Sequence, residues 1–366
     1  MTDTALTNPS LRPPVTQVGV IGWMRANLFN SILNSILTII FAYIIVRVVY
    51  ALLDWGLIHA VWHAANARAC RAADSGACWA FIGEKGRLIL FGRFPYEDQW
   101  RAVLASVLFV IAMGLSGWRA FWNKRLLYLW IGVTAVNSVL MWGGVFGLSF
   151  VETSLWGGLP LTLILAIYPT MFSFPLAILL ALGRRSRLPI VKSVCICFIE
   201  LIRGVPLITL LFMASLMLPL FLPAGVTIDK LLRAVVAITF FTAAYIAEVI
   251  RGGLQALPKG QYEAADALGL SYNRKIISII LPQALVVVIP ALVNDFIGVF
   301  KDTSLVTVIA LFDIVAAMQN ALVDPDWRGP TMEAYFFVAA IFFVFCYAMS
   351  RYSATLETTF NKGRRR

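Results

Sequence analysis

The chain has 366 residues, 60% hydrophobic and only 13% charged, with a formal net charge of +11. A soluble domain is about half apolar and a quarter charged, so this composition excludes a water-soluble fold for most of the chain and makes the bilayer its solvent. The basic balance does not point to nucleic acid: Lys and Arg fall in short loops and near the C-terminus, not in a stripe interleaved with stacking aromatics.

Residues 1–27 are polar, carry Arg12 and Arg25, and read as a cytoplasmic tail without a cleavable signal peptide. A spanning helix needs about 20 mostly apolar residues. Eight segments qualify, near 28–53, 102–118, 126–146, 158–182, 194–222, 231–250, 276–300 and 334–352. The fold class is therefore an all-α polytopic membrane protein. The basic residues orient it. Loop 118–125 carries Arg119, Lys124 and Arg125, and loop 183–193 carries Arg184, Arg185, Arg187 and Lys192. Loop 251–275 carries Arg251, Lys259, Arg274 and Lys275, and the tail 361–366 ends Lys362-Gly-Arg364-Arg365-Arg366. The alternate loops are nearly bare: 146–157 has no Lys or Arg, and 223–230 has only Lys230. With eight spans all the basic loops share one side, and both termini are cytoplasmic.

Segment 54–101 is too polar to span and falls on the periplasmic side, an oxidising compartment. Within it Cys70 and Cys78 flank the turn residues Asp74, Ser75 and Gly76, which can reverse the chain and bring the thiols together. The alternative is two unpaired thiols. Cys195, Cys197 and Cys346 sit in apolar runs as inert packing residues. His59 and His63 stand i,i+4 and would share one face of an interfacial helix; a zinc site needs three or four ligands, and these are the only histidines. Residues 304–320 are apolar but short and interrupted by Asp313. A ninth span there would throw the basic tail outside, so they read as a helix at the outer surface or partly re-entrant.

Two acid–base pairs echo each other, Glu200 with Arg203 and Glu248 with Arg251. At i,i+3 each pair shares a helical face, as an ion pair that lowers the cost of charge at that depth or as part of a gate. In span 276–300, Pro282 and Pro290 are candidate kinks, and Asn294 and Asp295 are polar groups that should face a cavity or another helix, not lipid. The loop from Pro258 onward predicts a helix over Gln261–Leu268, a stop at Gly269 and a second start with Ser271 as N-cap. Two short helices meeting at an angle form an elbow, either a docking piece for a groove on another protein or an ordinary helix–Gly–helix loop.

The spacing Glu263-Ala264-Ala265, three residues, Gly269, nine residues, Ile279, one residue, Leu281-Pro282 resembles the EAA signature of ABC importer permeases. Glu200-Leu-Ile-Arg203-Gly-Val-Pro206-Leu, Ala244-Tyr245-Ile-Ala-Glu248-Val-Ile-Arg251-Gly252-Gly253, Lys301-Asp302-Thr303-Ser304-Leu305, Pro258-Lys-Gly260-Gln261 and Pro282-Gln283-Ala284-Leu285 resemble the polar amino acid branch of that family. The likeness covers about 151–362. It implies a five-helix type I importer core over 151–360, with 251–275 as the coupling loop and Gly260, Glu263, Ala264, Ala265, Gly269, Leu281 and Pro282 as the residues around the ATPase contact. It also implies a cytoplasmic ABC ATPase dimer, a second permease that is a different chain, and a periplasmic amino acid-binding protein. Residues 28–150, with three spans, are additional to the core, and in this the chain resembles the larger membrane subunit of general L-amino acid importers. Val286 departs from the pattern, because the family often has Arg there.

No G-x-x-x-x-G-K-[ST] occurs, so ATP and Mg belong to the partner and this chain binds no cofactor. No H-E-x-x-H or G-x-S-x-G occurs either, which leaves a membrane-embedded enzyme without a reactive constellation. An ion-coupled secondary transporter using Asp295 or Glu248 is the competing reading; against it stand the elbow and the lack of an obvious repeat between halves.

Overall fold

The computed structural model describes residues 19–71, 75–118, 121–223 and 225–364, with side chains described to residue 358. Arg12, Asp74, Arg119, Arg365, Arg366 and the other side chains of the basic tail lie outside the described residues. The chain divides into two compact units, 1–80 and 81–366.

The first unit holds α1 (Gly19–Asn27), α2 (Ile32–Leu53) and α3 (Ala67–Cys70). Ser31 caps α2 by accepting from the Asn34 N–H, and one wide turn over Asp54–Ile58 prolongs it to a 27-residue candidate span. Residues 59–66 are not helical, so His59 and His63 do not share a helix face. The reason is local: the His59 carbonyl accepts from Gly76 N–H and Val61 N–H donates to the Ala77 carbonyl, tying this stretch to an extended neighbour instead of a helix. His59 Nδ1 lies 3.0 Å from Asp54 Oδ1. Cys70 and Cys78 are paired, with Cα atoms 5.6 Å apart, and both are buried. Closing a loop of this size stabilises by about 2–3 kcal/mol in the chain-entropy model. Non-reduced peptide mapping of protein from an oxidising periplasm is expected to show the 70–78 bridge, and Cys70→Ser with Cys78→Ser to lower the melting temperature of this unit. Free thiols at both positions would exclude the bridge and place this segment on the reducing side.

The second unit is helical almost throughout, beginning with α4 (Ala80–Phe91), α5 (Gln99–Ser116), α6 (Lys124–Trp142) and α7 (Gly158–Arg184). Then come α8 (Pro189–Arg203), α9 (Leu207–Phe212), α10 (Lys230–Ala256), α11 (Lys259–Ala267) and α12 (Tyr272–Lys275). The last are α13 (Leu281–Asp302), α14 (Ile314–Ala321) and α15 (Thr331–Arg364). Among the described residues of the whole chain, seven helices are long and apolar enough to cross a membrane, and an eighth span forms if the bent pair 189–221 is one crossing. The predicted span 194–222 falls on this pair, whose two helices meet at a bend of 102°. The break is at Gly204-Val205-Pro206: Pro206 has no N–H to continue the ladder and pushes Val205 away from helical backbone.

α7 and α10 pack along the longest helix–helix contact and form the spine of the unit. Small buried residues permit it: Ala166, Ala177 and Ala181 on α7, and Ala234, Ala237, Ala243, Ala244 and Ala247 on α10. In lipid, where burial of apolar surface does not drive association, close backbone approach supplies the packing energy. α5 closes on α6 through Arg101, fully buried, which donates from Nε to the Leu140 carbonyl (2.7 Å) and from Nη1 to the Ser149 carbonyl (3.0 Å).

Residues 303–321 form no separate ninth span among the described residues: the first seven end the apolar helix Tyr272–Ile309, and the rest is a short buried helix. A tight helical turn over Thr303–Ile309 ends at Ala310 in left-handed backbone, and Phe312–Asp313 bridges to Gly157 and Gly158 before α14. α14 is buried through Ile314, Ala317, Met318 and Ala321. Asp313 interrupts the apolar run because it caps this helix, its Oδ1 accepting from Ala316 N–H at 2.9 Å. Burial pushes its carboxyl above the usual range, against the hydrogen bonds of its cap. Gly158 is needed here: its φ is +65°, and a Cβ would stand 2.2 Å from the Leu90 carbonyl oxygen.

Candidate functional site

The elbow forms as its residues dictate. Leu257 and Pro258 take extended backbone and stop α10, and Lys259 starts α11. α11 ends when Gly269 turns to φ +68°, with Leu268 N–H donating to the Ala264 carbonyl and Leu270 N–H to the Ala265 carbonyl. Ser271 stands at the N-cap of α12 but makes no side-chain cap, so this helix depends on its surroundings. Lys275 Nζ reaches across the bend to Asp266 Oδ1 at 2.5 Å. Gln283 Nε2 donates to Gln261 Oε1 at 3.1 Å, fixing the start of α13 to α11.

The sequence-predicted residues separate into two groups. Gly260, Glu263, Ala264 and Gly269 are exposed, and Leu268 between them is 76% exposed. An apolar tip held outward beside an acid is what a partner's groove can bind. Ala265 is buried and faces inward. Leu281 and Pro282 lie beyond the elbow at the start of α13, inside the continuous helix Tyr272–Ile309, where the proline removes one N–H from the ladder. The ladder loosens before them, over Ile276–Ile280, into a wide π turn.

Behind the elbow the charges gather differently from their spacing. Glu248 and Arg251 pair as expected, Oε2 to Nη2 at 2.8 Å. Glu200 does not pair with Arg203. It takes Arg184 Nη1 at 2.8 Å, and Arg203 Nη1 stands 3.8 Å from Glu248. The correction follows from helix neighbours: α8 and α10 both lie against α7, whose last residue, Arg184, also reaches Glu248 Oε1 at 2.9 Å. One carboxylate thus holds three guanidinium groups from three helices.

Arg184, Arg185 and Tyr262 were not legible as site residues. Arg185 Nη1 donates to Tyr262 Oη at 3.1 Å, and Tyr262 Oη donates to the Leu254 carbonyl at 2.9 Å. The end of α7 therefore holds the charge cluster with one residue and the elbow with the next. The available signal was an Arg-Arg pair at a span end, which also serves simply to orient the helix. Gly253 was missed as well: a Cβ there would meet the Ala284 carbonyl oxygen at 2.7 Å, so glycine lets α10 and α13 touch beneath the elbow. On α13, Asn294 is exposed, and Asp295 is half-buried with Oδ2 shut from solvent and without a hydrogen-bond partner among the described residues. No group of three His, Cys, Asp or Glu that could hold a metal occurs among the described residues.

Residues 173–358 match the family described as binding-protein-dependent transport system inner membrane component. Along its whole length the chain is 46% identical to the inner membrane amino-acid ABC transporter permease protein YhdY of Escherichia coli K12, covering 99% of that protein. The chain belongs to this permease family. It is the membrane-spanning subunit of an ABC importer, a transport subunit and not an enzyme. The permease is also 40% identical, over 440 aligned positions covering all of both chains, to the glutamate/glutamine/aspartate/asparagine transport system permease protein BztC of Rhodobacter capsulatus. A crystal structure titled as an amino acid ABC transporter with histidines is 32% identical over 54% of this permease and 90% of its own chain, with a TM-score of 0.49.

Proposed function

We propose that this permease passes amino acids, in the manner of a broad-specificity L-amino acid importer, from periplasm to cytoplasm, and that the elbow at Glu263–Gly269 seats on a cytoplasmic ABC ATPase dimer. The observation that carries the reading is the exposed, cross-braced elbow, with Leu268 at its tip and Arg185 joining it to a span. The names of the full-length relatives support amino acids as the cargo, with acidic residues and their amides among the first to test. The reading includes a second, different permease chain, a periplasmic binding protein and cytoplasmic termini in a bacterial inner membrane. ATP and Mg act on the partner.

Proteoliposomes holding this chain with those partners are expected to accumulate labelled glutamate or glutamine only with ATP. Uptake by the lone chain on a proton or sodium gradient would replace this reading with an ion-coupled carrier. Asn294 and Asp295 belong to the solute route in the same proposal. Cysteine at either position should react with a small water-soluble thiol reagent at rates that differ with and without ATP, and inertness in every state would remove both from the route.

A further inference from the structure

The three spans ahead of the five-helix core do more than enlarge it: two of them, α5 and α6, build one wall of a cavity of about 560 Å³ with α7, α13 and α15. Met113 and Trp130 line it from the extension, and Met171, Phe296 and Met349 from the core. Its wall is apolar except for Thr170 and, meeting at one point, Ser116 and Tyr352. Ser116 is the focus of that point. Trp122 Nε1 and Tyr352 Oη donate to its carbonyl at 2.9 and 3.3 Å, and Trp130 Nε1 donates to its Oγ at 3.0 Å. Aromatic rings with one polar edge mark the level of lipid headgroups.

Three features say what fills the cavity. The first is depth. Its lining runs from Leu163 to Phe174 on α7 and from Phe345 to Leu356 on α15, which is roughly 17 Å of axis on each helix at the α-helical rise. One leaflet of hydrocarbon is about 15 Å deep, the length of one extended acyl chain. The second is charge. Lys124 and Arg125 directly precede the lining residue Leu126, and Arg351 precedes Tyr352. All three are exposed, and none has an ion-pair partner among the described residues. The third is separation from the solute route. At about 100° per residue, Ile289, Val293, Phe296 and Phe300 turn one apolar face of α13 to the cavity, while Asn294 and Asp295 point to the other side. The wall offers a polar solute little beyond Ser116, Thr170 and Tyr352.

We propose that the cavity holds one acyl chain of an anionic glycerophospholipid, with its phosphate held by Lys124, Arg125 and Arg351. The extension then works as a lipid clamp on the permease core. Unpaired cations at a membrane surface select anionic headgroups, and the apolar wall selects the chain. The test is native mass spectrometry of the full-length chain from bilayers of phosphatidylethanolamine with phosphatidylglycerol. One phosphatidylglycerol should survive delipidation per chain. Lys124→Gln with Arg125→Gln and Arg351→Gln should cut its retention relative to phosphatidylethanolamine roughly a hundredfold. Met171→Trp, which partly fills the cavity, should lower the retention of both lipids. If the filled variant does not fold, the surface triple variant decides alone, because its positions are exposed. Equal phosphatidylglycerol retention in the wild type and the triple variant, an undiminished lipid count in a folded filled variant, or a polypeptide retained in place of lipid would each overturn the proposal.

Discussion

Gly269→Val is expected to cut ATP-driven uptake by tenfold or more while the subunit still inserts at its normal level. The cause is backbone conformation and not a clash: at φ +68° a Cβ on Gly269 meets nothing within 4 Å. A β-branched residue is held in left-handed backbone only at a cost of about 1–3 kcal/mol. A short exposed bend secured by the Leu270–Ala265 hydrogen bond and the Lys275–Asp266 ion pair has little to hold it there. Rotating φ to a negative value relieves the strain, re-aims α12 against α11 and moves Leu268 out of place. Gly269→Asn separates this account from a general loss of fold, since asparagine tolerates left-handed backbone and should keep most of the uptake. The readouts are initial uptake rate and ATPase rate in vesicles, each normalised to permease content. Full uptake by the Val variant would remove the elbow from energy coupling.

What the sequence made legible and what it did not divide along a physical line. Spans are written in long apolar runs, and all eight predicted segments fall on helices, because in lipid a backbone has no other internal partner for its polar groups. The elbow was legible because Gly269 is a local stop signal. Features set by packing between distant segments were not. The bend at Gly204–Pro206 carried a local signal, Pro206, but the apolar run masked it. The buried course of 303–321 depends on Gly157, Gly158 and Thr162, some 150 positions earlier. The Glu200–Arg203 spacing suggested a pair, yet the partner came from α7, since i,i+3 proximity on one helix competes with any arginine that a neighbouring helix presents. Arg185 and Tyr262 became visible as a joint only when folding brought the end of α7 within one arginine's reach of α11.

Glu248→Gln should have the second large effect, and it tests whether the charge cluster only stabilises or also transmits. The substitution keeps size and removes the single charge to which Arg184, Arg203 and Arg251 converge. Glu200 still reaches Arg184, so two of the three cations lose their carboxylate and repel each other. Removing one member of a buried pair costs about 3–5 kcal/mol. Here Glu248 is 13% exposed but the arginines are 22–35% exposed, so water and counterions screen the remainder, and about 2 kcal/mol is the expected loss. The melting temperature should drop by several degrees, and Arg203→Gln in the same chain should restore part of it by removing surplus charge. Coupling reads differently. Arg184 anchors the cluster while Arg185 anchors Tyr262 on α11. A freed end of α7 should therefore let ATP hydrolysis proceed with less uptake per ATP. If Arg203→Gln restores the melting temperature and the uptake-to-ATP ratio together, the cluster acts through stability alone. A ratio that stays low in a thermally restored protein assigns Glu248 to the transmission path between the ATPase and the spans.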